Sequence, residues 1–244
     1  MSKKPVILIA WGPCLDLQFY SQGMMLTKAY EWAVAGNGGI PLMPLDRSCI
    51  EDYAERCDGL IFPGAMNFKP LPGIPQERIV EGHARRDEFQ KALFDAFKAK
   101  GKPIMGICEG HQKVNCCLNG SILLDLAESK GVGHFNTAHT VKTKKGSLIE
   151  KIWGDDFYIN SYHNYYVDRL GDDLEITAVS PQGNVEAVEH TSLPIFGFQF
   201  HPERMRGDDK IPAEAPEADP LFRWFIDLCG QIRDGKPYVK VSEQ

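Results

Sequence analysis

Short apolar, strand-like runs alternate with longer segments of helical period through the first half of this chain. The strand-like runs are 6–10, 40–45 and 58–62, and the helical segments are about 22–35 and 77–100. Parallel neighbouring strands need a long crossover between them, which is most often a helix. The alternation therefore predicts β-α-β units around a parallel sheet.

The second half of the chain has a different pattern, in which short strand-like runs lead to one final amphipathic helix. The runs are 121–126, 158–162, 174–179, 185–188 and 195–200. The helix is predicted over 219–232, with its apolar residues on one buried side. We therefore predict an α/β fold that has a mostly parallel central sheet and an added β-rich portion in its C-terminal half. A chain of 244 residues suits one domain, 1–244.

Composition narrows the classes of partner. Lys and Arg number 27 against 33 Asp and Glu, and this acidic balance disfavours nucleic acid and anionic membrane surfaces. No apolar run approaches the roughly 20 residues of a membrane helix, and the N-terminus has no signal-type cleavage site. The cysteines are odd in number and lack Cys-x-x-Cys spacing, so we expect a reducing cytoplasm. The sequence leaves a homodimer open.

Cys108 stands where a predicted buried strand, 102–107, meets a predicted helix, 108–118. Glycines flank it at Gly106 and Gly110, and this spacing is the cysteine version of a nucleophile elbow. Small residues on both sides allow a sharp turn, and a helix N-terminus favours a thiolate. The competing interpretation is a small buried cysteine, because Gly-x-Cys-x-Gly by itself is a short pattern.

His201 and Glu203 follow the last predicted strand in a His-Pro-Glu sequence. Proline biases the preceding residue toward extended backbone, so both side chains are predicted on the same side, about 7 Å apart along the chain. A histidine base with a carboxylate that orients its ring is what a nucleophilic cysteine requires. His111 lies on the same predicted helix as Cys108, so it is placed behind the sulfur rather than across from it. The motifs around Cys108 and His201 support each other.

With both motifs placed, the chain resembles the class I glutamine amidotransferase-like superfamily and, within it, the γ-glutamyl-γ-aminobutyrate hydrolase branch of γ-glutamyl hydrolases. The resemblance extends over nearly the whole chain. The segments that carry it are 33–44, 58–64, 86–89, 102–126, 159–163, 184–189 and 197–203. It implies a flavodoxin-like three-layer sandwich and hydrolysis through a γ-glutamyl thioester.

The resemblance also implies roles for individual residues. Cys108 is the nucleophile, His201 the base and Glu203 its orienting carboxylate. The oxyanion hole maps onto main-chain amides of Gly64, Ala65 and Glu109. Contacts to the glutamyl group map onto Gln112, Ser161, Tyr162 and His163. A small γ-glutamyl compound is the expected substrate, and this chemistry requires neither a metal nor an organic cofactor.

Three departures from the family pattern fall near the expected site. Glu109 stands where the family usually has Arg, and 64–67 reads Gly-Ala-Met-Asn in place of a second glycine and an acid. Asn164 and Tyr165 replace a His and a Gln. These differences concern the amine side of the substrate. A carboxylate at Glu109 also disfavours a neighbouring thiolate unless the side chain points away from it.

Two other functions remain to be separated from hydrolysis of a γ-glutamylated small amine or amino acid. The same triad serves glutaminase subunits that deliver ammonia to a separate synthase. A non-enzymatic binding module of the same fold is the third alternative. The presence of Cys108, His201 and Glu203 together argues against the binding module, and the absence of a fused synthase domain favours the free-standing hydrolase.

Overall fold

A computed structural model describes residues 3–10, 14–17, 20–24, 27–64, 76–124, 135–208 and 210–243. The helices in these ranges are α1 Lys28–Gly36, α2 Ile50–Arg56, α3 Gln76–Ala99, α4 Glu109–Cys117, α5 Leu148–Trp153 and α6 Asp219–Arg233. The strands are β1 Val6–Ile9, β2 Cys14–Leu17, β3 Tyr20–Met24, β4 Ile40–Leu42, β5 Gly59–Phe62, β6 Ile104–Ile107, β7 Ser121–Leu124, β8 Phe135–Thr143, β9 Asp156–Tyr162, β10 Tyr165–Arg169, β11 Leu174–Val179, β12 Val185–His190 and β13 Ile195–Phe198.

A nine-stranded mixed sheet forms the centre of the described structure, in the order β4-β1-β5-β6-β13-β12-β11-β8-β9. Pairings from β4 through β13 are parallel, and those from β13 through β9 are antiparallel. Two shorter pairs, β7 with β10 and β2 with β3, lie outside this sheet. The predicted parallel half and most strands of the β-rich half are therefore continuous parts of one sheet, while the predicted run 121–126 forms β7 outside it.

Helices cover both faces of the parallel half, because alternate residues of a strand point to opposite faces. One face packs against α1 and α6 through the buried side chains Ile7, Ile9, Ile61, Met105, Ala33, Val34, Phe222 and Phe225. The other face packs against α2, α3 and α4 through Leu8, Leu60, Phe62, Ala54, Phe89, Leu93, Phe94, Phe97 and Val114. This three-layer arrangement confirms the predicted fold class.

The boundaries of the long elements follow the sequence pattern closely. The predicted helix 77–100 is α3, the predicted helix 219–232 is α6, and the predicted strand 174–179 is β11. The strand predicted over 40–45 is shorter, ending at Leu42 in a chain that has prolines at 41 and 44. Proline lacks an N–H for the sheet ladder, so this run occurs at the sheet edge.

The helix predicted from about Gln22 is wrong over its first part. β3 occupies 20–24 and pairs antiparallel with β2, with Gly23 opposite Leu15. Glycine is a poor residue for a helix interior, and α1 begins only after Thr27, which has extended backbone. Sequence reasoning also missed β8, β10, α2 and α5. No helix in the described ranges is long and apolar enough to cross a membrane.

Truncation of the core under α3 tests the packing of this layer. Leu93 is fully buried against the sheet, so Leu93→Ala should lower the free energy of unfolding by about 2–5 kcal/mol. Urea denaturation followed by far-ultraviolet circular dichroism measures the change. Lys91→Ala on the exposed side of the same helix is the control, and it should change stability by less than about 1 kcal/mol. Equal effects of the two substitutions would contradict this assignment of the buried face.

Candidate active site

Cys108 occupies a strained main-chain position between β6 and α4. Its φ of 54° and ψ of −108° lie in a region that residues with a Cβ atom rarely adopt. Its N–H donates a hydrogen bond to the Phe198 carbonyl at 2.8 Å, which joins the bend to the end of β13. The side chain is 7% exposed. The strand, bend and helix predicted around this cysteine are therefore present, in the geometry of a nucleophile elbow.

Close contacts explain why glycines flank this bend. A Cβ atom on Gly106 would lie 2.3 Å from the Gly110 carbonyl oxygen, and one on Gly110 would lie 2.1 Å from the Phe62 carbonyl oxygen. A Cβ on Gly64 would approach His201 Cε1 to 2.6 Å and Cys108 Cβ to 3.2 Å. The absence of these side chains lets β5, the elbow and the histidine come together.

His201 and Glu203 form a buried pair beside the cysteine. The His201 Nδ1 atom lies 2.6 Å from Glu203 Oε1, and their side chains are 4% and 1% exposed. The Cys108 side chain lies beside the same imidazole ring, since a Cβ atom on Gly64 would approach both of them. The structure thus brings together the three side chains that the sequence predicted. The Glu203 carboxylate contacts Nδ1 of the ring, which leaves Nε2 available for the Cys108 sulfur.

The backbone after His201 differs from the predicted extended form. Pro202–Arg204 is a turn of 3₁₀ helix, and the Arg204 N–H donates to the His201 carbonyl at 3.1 Å. The fixed φ of proline suits the first position of such a turn. The prediction of an extended spacing of about 7 Å is therefore wrong, because the turn folds the Glu203 carboxylate back onto the imidazole.

Opposing effects act on the proton affinity of His201. Burial by itself lowers its pKa, but the Glu203 carboxylate and the Cys108 sulfur, with hydrogen bonds to both, raise the pKa to about 10. The ring is consequently an imidazolium near neutral pH. Such a group stabilises a neighbouring thiolate and can donate a proton to a leaving amine.

Tyr30 of α1 joins this group, and sequence reasoning missed it. Its buried hydroxyl accepts the Gly64 N–H at 2.8 Å. Burial raises the pKa of Tyr30 well above its ordinary value, and the nearby Glu203 carboxylate adds to the rise, so the phenol stays protonated. The sequence gives only a weak signal for Tyr30. Spacings of three and four place it on the same helix face as Ala33 and Val34, so it reads as one more buried residue.

The predicted oxyanion donors have different positions. Gly64 already donates its N–H to Tyr30, so a role in binding an oxyanion requires that bond to open. Ala65 lies outside the described residues. Glu109 is the first residue of α4, where the amide has no carbonyl partner within the helix, and this leaves it suited to an anion. The oxyanion roles of all three stay predictions.

The Glu109 side chain is paired with a buried arginine. Its Oε1 accepts from Arg86 Nη2 of α3 at 2.5 Å, and the Arg86 side chain is 5% exposed. Arg86 also contacts Asp87, which accepts from Lys113 at 2.7 Å. The guanidinium therefore offsets the negative charge that the sequence placed next to Cys108.

The residues predicted to contact a glutamyl group are near one another. Gln112 Nε2 donates to the Tyr165 carbonyl at 3.0 Å and to Gln199 Oε1 at 3.1 Å. Tyr162 presents the edge of its ring to His201, with 5.7 Å between ring centroids. Ser161 is fully buried at the end of β9, and His163 Nδ1 lies 2.9 Å from the Tyr165 carbonyl. Their roles in binding a glutamyl group stay predictions.

Other histidines are packed into the fold. His111 is fully buried beside Gly197, and burial lowers its pKa to about 4, so it is neutral near pH 7. His139 and His163 approach the same fully buried carboxyl, with their Nε2 atoms 3.6 and 3.9 Å from Glu186 Oε1. Burial raises the pKa of Glu186 well above its ordinary value. His139 lies in β8, Glu186 in β12 and His163 directly after β9, so the cluster joins these strands.

The sheet covered on both faces, the cysteine at the bend after β6 and the buried His-Glu pair together define the chain as class I glutamine amidotransferase-like. The peptidase C26 family matches residues 16–203, which is more than half of the chain. The protein therefore belongs to the peptidase C26 family, a family of class I glutamine amidotransferase-like hydrolases.

Individual relatives agree with this placement. Protein NtpR of Enterococcus hirae is 29% identical over 217 residues, covering 82% of this chain and 91% of that one. The γ-glutamyl-γ-aminobutyrate hydrolase of Escherichia coli O157:H7 is 27% identical over 224 residues, covering 84% and 86%. A solved Thermotoga maritima glutamine amidotransferase superposes with a TM-score of 0.61 at 13% identity, covering 96% of this chain and all of that chain, and this supports the fold.

Removal of the Glu203 charge should change the titration of His201. In Glu203→Gln the effect of burial dominates, so the pKa of His201 should fall from about 10. In the unaltered protein the pair stabilises the fold fully below about 6.5, and this stabilisation is lost as the pH rises through about 10. Carbon-13 NMR of histidine-labelled protein follows the ring. Glu175→Gln, in a surface ion pair with Lys144, is the control and should leave His201 unchanged.

Loss of the Tyr30 hydroxyl should weaken both turnover and the stability of the fold. Tyr30→Phe leaves the Gly64 N–H without its acceptor, at a cost of about 1–3 kcal/mol in stability, and should lower kcat about tenfold. Steady-state kinetics and thermal denaturation measure both effects. Tyr53→Phe is the matched control, because that hydroxyl accepts the Leu45 and Asp46 amides away from the site. If both variants kept full kcat, Tyr30 would have only a structural role.

Proposed function

We propose that the protein hydrolyses the γ-glutamyl amide bond of a γ-glutamylated small amine or amino acid and releases glutamate. The observation that carries the proposal is the buried contact of Cys108 with His201, whose other ring nitrogen meets Glu203 at 2.6 Å. Membership of the peptidase C26 family and the likeness to γ-glutamyl-γ-aminobutyrate hydrolase support this reaction class.

The first half of the proposed reaction forms a thioester. The Cys108 thiolate attacks the γ-carbonyl carbon of the substrate, and the developing oxyanion is bound by main-chain amides, including that of Glu109. His201, an imidazolium near neutral pH, gives its proton to the leaving nitrogen as the C–N bond breaks. The amine departs, and the γ-glutamyl group stays on the sulfur.

The second half restores the enzyme. His201, now neutral, takes a proton from a water molecule, and the resulting hydroxide attacks the thioester carbon. The C–S bond breaks, glutamate leaves, and Cys108 and His201 return to the thiolate and imidazolium pair. The Glu203 carboxylate lies against Nδ1, so it holds the ring in one tautomer and stabilises its charged form.

A glutaminase subunit of a separate synthase is the second candidate. The specific observation in its favour is the likeness of the fold to a solved glutamine amidotransferase. The two functions share the thioester and differ in which amide is cleaved and where the nitrogen goes. Hydrolysis of γ-glutamyl conjugates by the isolated chain supports the first, and activity on glutamine that appears only with a synthase partner supports the second. A binding module would bind such compounds without turnover.

Trapping of the thioester tests the chemistry directly. Incubation of His201→Ala with γ-glutamyl-γ-aminobutyrate and related amides should add one glutamyl group to Cys108, because a thioester that forms in this variant has no base to activate the water that hydrolyses it. Intact-mass and peptide mass spectrometry locate the adduct, and Cys108→Ala should abolish turnover. Cys116→Ala, which changes an exposed cysteine on α4, is the control and should keep full activity. Unchanged turnover in Cys108→Ala, with no adduct in any variant, would exclude thiol catalysis.

A further inference from the structure

Asn160 holds the main chain of His201 from another strand. This residue of β9 is fully buried. Its Oδ1 accepts the His201 N–H at 2.8 Å, and its Nδ2 donates to the His201 carbonyl at 2.9 Å. Nδ2 also donates to the carbonyl of Ile211 at 2.8 Å. One side-chain amide therefore engages both main-chain groups of the histidine, much as a neighbouring strand would.

The positions of the two strands make this contact informative. In the sheet order, three strands separate β9 from β13, a distance of roughly 19 Å across a flat sheet. β8 pairs with β11 only at Lys142 and Thr143, whereas its pairing with β9 runs from Phe135 to Lys142. The β8-β9 pair therefore leaves the plane of the sheet and reaches His201, three residues after the end of β13. Asn160 makes its hydrogen bonds to His201 where the β8-β9 pair comes closest to that residue.

Neighbouring contacts join the same strand end to the same histidine. Two residues after Asn160, the Tyr162 ring meets the His201 ring edge-on at 5.7 Å. The Arg204 guanidinium lies over the Tyr162 ring, 4.8 Å from its centroid. His201 is thus held through its main chain, through its ring and through the turn that follows it. Asn160 is the member of this group that acts on the main chain.

We propose that Asn160 is a positioning residue, which fixes the main chain of His201 so that the imidazole meets the Cys108 sulfur. The proposal rests on the proposed thiol chemistry. The side chain of a histidine moves with its φ and ψ, and reaction rates are sensitive to displacements of about 1 Å. Without the amide, the His201 N–H loses its partner and the His201 carbonyl keeps only the Arg204 N–H, so the main chain shifts and the ring is displaced from the sulfur.

A matched pair of substitutions separates positioning from stability. Asn160→Ala removes three hydrogen bonds to main-chain groups. Asn115→Ala does the same at another fully buried asparagine, whose amide bonds Gly171 N–H and the carbonyls of Ser121 and Arg169. We expect similar losses in melting temperature. At a temperature where both variants are folded, kcat should fall about 10- to 100-fold in Asn160→Ala and less than about threefold in Asn115→Ala.

Alkylation of Cys108 by iodoacetamide gives a readout that does not depend on the substrate. Peptide mass spectrometry measures the rate at this cysteine across pH. The pH at which the rate is half-maximal should rise in Asn160→Ala, because a displaced imidazolium no longer stabilises the thiolate, and it should stay unchanged in Asn115→Ala. A shift in alkylation without turnover of any γ-glutamyl compound would support Asn160 while contradicting the proposed substrate class.

A conservative variant completes the test. Asn160→Asp keeps the shape of the side chain and an acceptor for the His201 N–H, so its alkylation profile and kcat should lie between those of the unaltered protein and Asn160→Ala. Should Asn160→Ala not fold, the comparison of Asn160→Asp with Asn115→Asp decides. Equal kcat and identical alkylation profiles in either matched pair would overturn the proposal and leave Asn160 with a structural role.

Discussion

The candidate site depends on one strained main-chain position, Cys108. Positive φ at a residue with a Cβ atom costs about 1–3 kcal/mol and persists only where the surrounding structure imposes it. Here β6 feeds directly into α4, the first turn of that helix lies against β5 at Gly110, and β13 accepts the Cys108 N–H. Three adjacent parallel strands thus hold the bend, and the same packing brings the sulfur to the carboxyl end of β13, where His201 follows.

Charge around this bend is balanced locally, by buried partners rather than by solvent. The His201 imidazolium lies between the Cys108 sulfur and the Glu203 carboxylate, and Tyr30 adds a protonated hydroxyl beside that carboxylate. Glu109, the one acid next to the nucleophile in sequence, is matched by Arg86. Removing one member of such a set exposes the others to an uncompensated buried charge, so these residues act as a unit.

The departures from the family pattern have different consequences in the folded protein. Tyr165 serves through its carbonyl, which accepts from Gln112 and lies 2.9 Å from His163 Nδ1, while its side chain is 43% exposed. A different residue at this position can keep the hydrogen bonds and still change the surface offered to a ligand. Glu109 is half of an ion pair with Arg86, so its effect on a substrate depends on both residues. Under the proposed function, we expect the choice of amine to depend on these positions as well as on Cys108, His201 and Glu203.

The sequence by itself determined the parallel β-α-β half, the elbow at Cys108 and the His201 and Glu203 pair. These depend on local properties: apolar period, glycine spacing and residues two apart in the chain. It did not identify Tyr30, Arg86 or Asn160, whose partners lie 34, 23 and 41 residues away. Only the tertiary structure decided these contacts, because a hydrogen bond between distant residues depends on how strands and helices pack and leaves no periodic signal in the chain.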